Sequence, residues 1–395
     1  MKILFIRGAF LNRFEGQNYE PLAKDHQIVG IGSLTSIHKK FDFPVKLFIS
    51  PYDIQTKLTR GLFNRVLGDS HFLWGFEKFV KQGILQSFNI MKCKYDIGHI
   101  AETHYGYDLQ AIRLKQGGFI KKVVSTCWET IPFNNETIKK KKRIKEIIKK
   151  NTDLFICPTE RAKRSLIMEG VSEEKIVIVR VGVDLNSFKI LNPKYQIPNK
   201  SQIRNSKFKT FHILFVGRLV EEKGVMDLYG AFKNVKCQMS NVKVRLKLRM
   251  VSEGNLRKKL IKNIEKDGLE SDVLLENRPY KEMPKVYQKA DLLIVPSKST
   301  KTWEEQYGMV LVEAMASGLP IVVYRSGAIP EVLGSSGILV NEGDVNGLTK
   351  AILTLLDNKD LRIKLGKIGR RRAEKEFDSE KIAKKLGEIY RKLII

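Results

Sequence analysis

The sequence predicts an α/β protein with two doubly wound, parallel-sheet domains that face each other across a cleft. Short apolar runs alternate with longer amphipathic stretches along most of the 395 residues, as in parallel sheets that helices cover on both faces. A polar, aperiodic segment interrupts this alternation near the middle of a chain that is too long for one hydrophobic core. We therefore expect two sheets rather than one.

Short apolar runs carry the strand prediction. In the first half they are 2–6, 27–31, 45–49, 97–101, 122–126, 154–158 and 176–181. In the second half they are 212–216, 243–250, 273–275, 292–296, 321–324 and 337–340. Amphipathic helices fit between them, for example at 224–235, 256–267, 307–316 and 345–356. Ligands of open α/β sheets bind at the carboxyl ends of the strands, so we expect the functional site there.

These elements divide the chain into four segments. We predict an N-terminal domain over 1–190, a linker over 191–209, a C-terminal domain over 210–375 and a terminal helix over 376–395. The linker prediction rests on a polar stretch that contains two prolines and has no periodicity. The terminal helix has apolar residues at helical spacing, so one of its faces should be buried.

Composition limits the class of protein and its partners. No apolar run reaches the roughly 18 residues of a transmembrane helix, and Arg7 interrupts the first run too early for a signal peptide. We therefore expect a cytoplasmic protein. The four cysteines are scattered, without a Cys-x-x-Cys pair or a histidine at ligand spacing, so we expect neither a metal site nor disulfides. A net charge of +28 favours anionic partners: nucleic acid, an acidic membrane face or phosphorylated substrates.

A cationic loop follows one predicted strand and precedes a predicted helix. It begins at Gly217, ends at Gly224 and carries Arg218 and Lys223. A glycine lets a phosphate approach the backbone, an arginine offers a planar pair of donors to phosphoryl oxygens, and a lysine supplies a mobile charge. The loop therefore predicts a phosphate site, although a surface loop with solvated charges has the same composition.

A second polar loop carries Glu305, and Gly308 opens the helix that follows it. The backbone N–H groups of Gly308, Met309 and Val310 suit a diphosphate, because the first amides of a helix lack helical acceptors. Glu313 lies eight residues after Glu305, up to about 12 Å away if the span were helical. Two such carboxylates can accept hydrogen bonds from different hydroxyl-bearing rings of one elongated ligand. An ordinary amphipathic helix with exposed glutamates is the alternative interpretation.

Together these motifs resemble the retaining, family-four glycosyltransferases of GT-B architecture, the group 1 glycosyl transferases. The cationic loop 217–224 is similar to the diphosphate loop of that family. Glu305 and Glu313, within Glu-Gln-Tyr-Gly-Met-Val-Leu-Val-Glu-Ala-Met-Ala, are similar to its donor-sugar signature. Further similar segments, in the family's order, are 181–184 with Phe188, 290–297 and 326–331. The resemblance implies two Rossmann-like domains and a terminal helix that packs back on the N-terminal domain.

The resemblance also implies roles for the site residues. Arg218 and Lys223, with the loop glycine Gly217, would bind the nucleotide diphosphate and stabilise charge on the leaving group. Glu305 would contact the transferred sugar, and Glu313 would accept hydrogen bonds from the ribose hydroxyls. The amides at the start of the helix would complete the phosphate site. Arg218, Lys223 and Glu305 would thus be the catalytic residues.

The implied reaction transfers a hexosyl unit from a nucleotide-diphosphate sugar to a glycan or lipid-linked acceptor, with retention of configuration. The nucleotide sugar is a co-substrate, and the resemblance implies neither a cofactor nor a metal; the sequence has no Asp-x-Asp motif for a divalent ion. Two other functions stay open. One is a non-catalytic nucleotide-sugar-binding homologue, and the other is a polyanion- or nucleic-acid-binding protein, which charge alone supports.

The acceptor side is where the sequence departs from the family. Many members carry a histidine just after a mid-domain strand, and here Trp128 stands in that place. An indole can pack against a sugar face but cannot transfer a proton. His104 follows the preceding predicted strand. Trp128 and His104 are therefore the acceptor-side candidates, and core packing is the alternative for Trp128.

Two segments bear on contact with the inner face of the cell membrane. Residues 136–150 contain eight Lys and Arg residues and a helical stripe of isoleucines. This helix either packs its isoleucines on the domain or lies with them on an anionic membrane face. Residues 62–88 are rich in aromatic side chains, which either belong to the core or line the entry for a lipid-linked acceptor. We expect peripheral association with an anionic membrane through the N-terminal domain.

Overall fold

The computed structural model describes residues 1–50, 93–189, 209–239 and 244–395. It divides into two compact units, of which unit 1 comprises Met1–Gly182 with Ser379–Ile395, and unit 2 comprises Val183–Asp378. Each unit contains its own parallel sheet. None of the helices in the described ranges combines the length and the apolarity that crossing a bilayer requires.

Unit 1 is built on a parallel sheet. Its described strands are β1 (Lys2–Gly8), β2 (Gln27–Ser33), β3 (Val45–Phe48), β4 (Tyr95–Ala101), β5 (Ile120–Thr126), β6 (Leu154–Cys157) and β7 (Ile176–Ile178). They lie in the order β3-β2-β1-β4-β5-β6-β7, and each neighbouring pair is parallel. The order reverses between β1 and β4, so the loops after these strands meet at the carboxyl edge.

Helices cover this sheet. Those described are α1 (Arg13–Gly16), α2 (Gly106–Gln116), α3 (Lys139–Asn151), α4 (Glu160–Met168) and the C-terminal helix (Ser379–Ile394). The C-terminal helix packs Ile382, Leu386 and Tyr390 into the same hydrophobic cluster as Phe5 of β1 and Ile97 of β4. The last residues of the chain therefore complete the core of unit 1.

A buried hydrogen-bond network joins the C-terminal helix to the sheet. The ring of His99, in β4, is bonded through Nδ1 to the hydroxyl of Tyr390 and through Nε2 to that of Thr126, at 2.8 Å. Burial and the nearby Arg7 guanidinium hold the pKa of His99 well below its ordinary value, so the ring is neutral. One neutral ring of β4 thus bonds a buried polar group of β5 and one of the C-terminal helix.

The isoleucine face of α3 packs on unit 1 itself. Ile148 is fully buried, and Ile144 and Ile147 pack against the same cluster. Of the two alternatives for this helix, the structure has the one in which Ile144, Ile147 and Ile148 cover the domain, whereas Ile138, just before α3, is 41% exposed. The aromatic segment 62–88 lies outside the described residues.

Unit 2 is built on a second parallel sheet. Its described strands are β8 (Lys209–Val216), β9 (Val244–Val251), β10 (Val273–Glu276), β11 (Leu292–Val295), β12 (Ile321–Tyr324) and β13 (Gly337–Val340). They lie in the order β10-β9-β8-β11-β12-β13, again with parallel neighbours. The order reverses between β8 and β11, and the loops after these two strands meet at that point.

Helices also cover the second sheet. Those described are α5 (Val225–Gln238), α6 (Arg257–Lys266), α7 (Met283–Gln288), α8 (Met309–Ala316), α9 (Ile329–Leu333), α10 (Val345–Asp357) and α11 (Lys359–Glu376). One hydrophobic cluster joins Ile213 and Ile294 of the central strands to Phe232 of α5 and Ile352 of α10. The core is continuous beneath the edge at which the loops after β8 and β11 emerge.

Every predicted strand is present, with ends that differ by a few residues. β8 begins at Lys209 rather than 212, because its pairing with β9 already starts at Lys209 opposite Val244. The predicted linker 191–209 lies outside the described residues except for Lys209. Contacts divide the chain after Gly182 and after Asp378, whereas the sequence suggested 190 and 375.

Tyr390→Phe is expected to lower the free energy of unfolding of unit 1 by about 1–3 kcal/mol, because it leaves a buried ring nitrogen of His99 without its partner. Tyr107→Phe is the matched control. Tyr107 is also fully buried, but its hydroxyl has no hydrogen-bond partner among the described residues, so its loss should be neutral or stabilising. Urea unfolding monitored by circular dichroism measures both, and equal effects would contradict the network.

Candidate functional site

The candidate site of unit 2 lies at the carboxyl edge of its sheet. One loop, 217–224, follows β8, and another, 296–308, follows β11. The two strands pair directly, and the main-chain N–H of Lys298 donates to the carbonyl of Glu222 at 2.9 Å. The sheet order thus brings together two motifs that are far apart in the sequence.

Gly224 determines how closely the two loops approach. Its φ is +63°, and a Cβ at this position would lie 1.9 Å from the carbonyl oxygen of Pro296. Only glycine combines this left-handed conformation with such a close backbone contact. As a result the preceding residue, Lys223, lies beside the end of β11.

Lys223 and Glu305 form an ion pair at the centre of the site. Lys223 Nζ lies 2.6 Å from Glu305 Oε2, and Ser297 Oγ donates to the same oxygen at 2.8 Å. The two side chains are only 16% and 12% exposed. Burial opposes ionisation of Glu305, but the Lys223 charge, the two hydrogen bonds and the Arg218 charge outweigh it and lower the pKa of Glu305. The carboxylate is therefore ionised, and it holds the ammonium in a fixed position.

An indole ring lies on another side of this ammonium. The centroid of the Trp303 ring is 4.6 Å from Lys223 Nζ, within the range of a cation–π interaction. Two contacts fix the loop that carries Trp303: Lys298 pairs with Asp227 at 3.0 Å, and Ser299 donates to Glu342 at 2.7 Å. Lys223 is thus confined by a carboxylate and an aromatic face.

Arg218 lies on the exposed side of the same loop. Its side chain is 47% exposed, and Nη2 lies 3.1 Å from Oε1 of Glu222. An exposed pair of this kind contributes at most about 1 kcal/mol. An incoming phosphate can therefore replace Glu222 on the guanidinium at little cost.

The start of α8 supplies a second positive element. Gly308 precedes the helix with a φ of +81°. A Cβ atom added at this glycine would lie 3.7 Å from Cγ of Glu305. Met309 and Val310 are partly exposed. The first N–H groups of a helix have no acceptor within it and carry the positive end of its dipole. The main-chain N–H groups of Gly308, Met309 and Val310 therefore lie at the same edge of the sheet as the ion pair between Lys223 and Glu305.

Glu313 lies deeper, in the interior of unit 2. It is 3% exposed, and the hydroxyl of Tyr287, in α7, donates to its Oε2 at 2.6 Å. Burial raises the pKa of Glu313 to about 7, while hydrogen bonds from Tyr287 and Tyr280 act in the opposite direction. Glu313 is thus a buried carboxyl group that changes charge near neutral pH.

The acceptor-side candidates lie in unit 1, after β4 and β5. Trp128 is partly buried, and its main-chain N–H donates to Oε1 of Glu102 at 3.0 Å. His104 is buried and contacts the edge of the Tyr105 ring. Glu102 has a φ of +63°, which is uncommon outside glycine. Burial, and then the nearby Glu129 carboxylate, raise the pKa of Glu102 to about 8.

The structure brings Lys223, Glu305 and the start of α8 together and places Arg218 beside them. Sequence reasoning did not single out Ser297, Trp303 or Tyr287 as site residues. Ser297 and Trp303 lie within the loop that carries Glu305, so their proximity in sequence was the available signal. Tyr287 meets Glu313 only through the packing of α7 on α8, and Glu102 likewise lacked a sequence signal.

This arrangement is suited to an anion that carries hydroxyl-bearing groups. Lys223, Arg218 and the start of α8 attract a diphosphate, and Glu305 and Glu313 can each accept hydrogen bonds from hydroxyls. Among the described residues, no group of three or more His, Cys, Asp and Glu side chains is placed to hold a metal ion.

Comparison with known proteins points to one family. The model of the family "Glycosyl transferases group 1" matches residues 196–372. An uncharacterized glycosyltransferase of Methanocaldococcus jannaschii is 30% identical over 245 residues, 62% of this chain and 60% of the relative. A D-inositol 3-phosphate glycosyltransferase of Corynebacterium kroppenstedtii is 30% identical over 247 residues, 61% of this chain and 53% of the relative. The chain thus spans little more than half the length of these relatives.

The fold has close neighbours among solved structures. The crystal structure of Anabaena HepE in complex with UDP and glucose superposes with a TM-score of 0.69 at 18% identity. The match covers 98% of this chain and 99% of that chain. At 18% identity this likeness concerns the fold.

Glu313→Gln is expected to stabilise unit 2 increasingly as the pH rises. Because folding raises the pKa of Glu313 from its ordinary value of 4.5 to about 7, the free energy of unfolding of the unmodified protein falls as the pH rises from about 4.5 to 7. The difference in the free energy of unfolding between variant and unmodified protein should grow by about 2.5 kcal/mol between pH 5 and pH 8. Urea unfolding at pH 5 and pH 8 measures it, and a constant difference would contradict the raised pKa.

Lys223→Met is expected to lower the free energy of unfolding by about 3 kcal/mol, because it leaves the buried Glu305 carboxylate without its cation. The double variant Lys223→Met, Glu305→Gln should recover more than half of this loss, since no unpaired charge remains. Chemical unfolding of the single and double variants gives the coupling between the two residues. Additive effects would show that the pair does not determine the stability of the site.

Proposed function

We propose that this chain, which belongs to the group 1 glycosyl transferases and has the GT-B fold, transfers a hexosyl unit from a nucleotide-diphosphate sugar to a glycan or lipid-linked acceptor. The observation that carries the proposal is the Lys223 ammonium, fixed by Glu305 at 2.6 Å at the edge where α8 begins. A cation held in place before the reaction stabilises the charge that develops on a departing diphosphate.

Lys223 and Arg218 are the proposed diphosphate ligands. An ammonium has three N–H donors, so Lys223 can keep its bond to Glu305 and also donate to a phosphate oxygen. Arg218 presents a planar guanidinium on the same loop, and its exposed pairing with Glu222 is weak. The N–H groups of Met309 and Val310 complete the phosphate site from the start of α8.

The two glutamates are the proposed hydroxyl ligands at the two ends of the donor. Among the described residues, the polar contacts of the Glu305 carboxylate are both made by Oε2, so Oε1 accepts a hydroxyl of the transferred sugar. Glu313 binds the ribose hydroxyls, and its hydrogen bond from Tyr287 orients the carboxyl group. Protonation of Glu313 below about pH 7 weakens this interaction, because a charged acceptor binds hydroxyls more strongly.

In the proposed reaction the bond between the anomeric carbon and the diphosphate breaks, and the acceptor hydroxyl forms its bond on the same face, with retention of configuration. The hydroxyl proton leaves with the diphosphate or to solvent. Lys223, Arg218 and the helix start neutralise the leaving group, which is the task that a divalent metal performs in other transferases, so we propose that no metal takes part.

The names of similar proteins support a nucleotide-sugar donor. The Anabaena neighbour binds UDP and glucose, and the Corynebacterium relative is a glycosyltransferase that acts on D-inositol 3-phosphate. Only the second of these names points to an acceptor, so the similarity supports the reaction class rather than one acceptor.

A nucleotide sugar of the correct class should raise the midpoint of thermal unfolding of unit 2 by roughly 5–10 °C. A ligand at 100 times its dissociation constant adds about 2.7 kcal/mol of stability, and each kcal/mol moves a domain of this size by roughly 2–4 °C. UDP-, GDP- and ADP-sugars are compared at fixed salt without metal. Glu313→Ala should abolish the shift, and Glu265→Ala, at an exposed glutamate of α6, should leave it unchanged.

Turnover measured with the same nucleotide sugars separates catalysis from binding. With the nucleotide sugar that gives the shift, Lys223→Ala and Glu305→Gln should each reduce turnover by about 100-fold or more. Equal small shifts with every polyphosphate would mean that the protein responds only to charge. Binding without turnover, across a set of glycan and lipid-linked acceptors, would favour a non-catalytic nucleotide-sugar-binding protein.

A further inference from the structure

The loop after β11 carries an aromatic residue that the core of unit 2 does not use. Among the described residues, the hydrophobic cluster at the core of this unit does not include Trp303, which is only partly buried. A partly exposed indole gains less from the hydrophobic effect than a buried one. The folding of unit 2 alone therefore does not account for a tryptophan at this position.

Hydrogen bonds from neighbouring strand ends give this loop a defined place. The main-chain N–H and the hydroxyl of Thr300 donate to the carbonyl of Trp303 at 2.7 and 3.2 Å. The main-chain N–H and the hydroxyl of Ser299 each donate to the Glu342 carboxylate at 2.7 Å, and the Ser299 hydroxyl lies 3.0 Å from that of Ser326. Glu342 follows β13 and Ser326 follows β12, so three strand ends fix the position of the loop.

The anchored loop sets the Trp303 ring against the Lys223 ammonium. Lys223 Nζ lies 4.6 Å from the ring centroid and 2.6 Å from Glu305 Oε2. An ammonium has three N–H donors, and the carboxylate and the ring occupy two sides of it. Only 16% of the Lys223 side chain is exposed, so a ligand reaches the remaining side from a limited range of directions.

An aromatic face holds a cation without cancelling its charge. Glu305 already balances the Lys223 ammonium, and a second carboxylate in place of the ring would make the site negative and repel a diphosphate. The indole attracts the ammonium through its quadrupole and carries no net charge. It also occupies a side of the ammonium that water would otherwise hydrate, and a lysine ammonium is strongly hydrated. With less water beside it, the charge acts more strongly on a ligand.

We propose that Trp303 is a positioning residue for Lys223: its indole face restricts the ammonium and excludes water, so that the remaining N–H meets the diphosphate as it leaves. This role rests on the proposed function, because the negative charge that Lys223 would meet develops in that reaction. Trp303 acts through Lys223 and not by contact with the donor. A ring that stacked on the sugar or the base would contribute to donor binding instead, so the two roles change different quantities.

Turnover and donor binding by variants of the full chain test this role. Trp303→Leu keeps an apolar side chain without an aromatic face, so turnover should fall about tenfold, as expected for a desolvated cation–π contact. The dissociation constant of the nucleotide sugar, measured by its thermal shift, should change less than about threefold. The ammonium still pairs with the bound diphosphate, and only the charge added in the transition state depends on its fixed position. Trp303→Phe and Trp303→Tyr keep an aromatic face and should retain at least about a third of the turnover.

Lys223→Met separates a role through Lys223 from direct contact with a substrate. In the Lys223→Met background, Trp303→Leu should lower turnover by less than about twofold more, because the residue through which it acts is gone. A loss of about tenfold that persists without Lys223 would overturn the proposal. Normal turnover by Trp303→Leu, equal losses in Trp303→Phe and Trp303→Leu, or a tenfold rise in the donor's dissociation constant would also overturn it. Trp303→Met gives the same comparison if Trp303→Leu does not fold.

Urea unfolding tests the contact without turnover. The effects of Trp303→Leu and Lys223→Met on the unfolding equilibrium constant should depart from the product of the single effects by about fivefold. Lys233→Met is the matched control, because Lys233 Nζ lies 5.9 Å from the ring of Tyr229, in α5. Combined with Trp303→Leu, it should give the simple product.

The two measurements together distinguish this proposal from the proposed function. Turnover of a nucleotide sugar without coupling between Trp303 and Lys223 would overturn the positioning role alone. Coupling without turnover of any nucleotide sugar would overturn the proposed function, and the positioning role with it.

Discussion

The geometry of unit 2 depends on the ion pair between Lys223 and Glu305. Either charge alone would be buried without a partner, which costs far more than the pair gains. The pair therefore requires the loops after β8 and β11 to stay together, and the left-handed Gly224 against Pro296 makes that approach possible. The start of α8, the Trp303 ring and Ser297 all take their positions around it. A cation fixed in this way costs no reorganisation when a negative charge develops beside it.

Both units place polar groups where the order of their parallel strands reverses. In unit 2 these groups are the ion pair and the start of α8. In unit 1 they are Glu102 and His104, which follow β4, and Glu102 has left-handed backbone geometry. Strain of this kind also occurs at Phe133, which faces outwards. Local conformations that conflict with residue type tend to occur at functional positions, and Glu102, at the sheet edge of unit 1, has such a conformation.

Much of the fold could be predicted from the sequence, because buried parallel strands appear in it as short apolar runs between amphipathic helices. The site loops could also be predicted, since glycines, cations and carboxylates follow strands in both motifs. Contacts between distant elements could not. Tyr287 reaches Glu313 only through helix packing, and Trp303 reaches Lys223 only because β8 and β11 are neighbours. The basic helix α3 left two interpretations open, because helical periodicity shows that one face is buried but does not show which surface it packs against. Its inward-facing Lys145 depends on Glu169, which the helix itself does not contain.

The most direct measurement is a crystal structure of the chain with the nucleotide-diphosphate sugar that binds best. The account predicts diphosphate oxygens about 3 Å from Lys223 Nζ and from the N–H groups at the start of α8, with the ribose hydroxyls at a similar distance from Glu313. Glu305 should still contact Lys223 through Oε2 while Oε1 meets the sugar. A nucleotide bound elsewhere, with no phosphate on Lys223, would contradict the account.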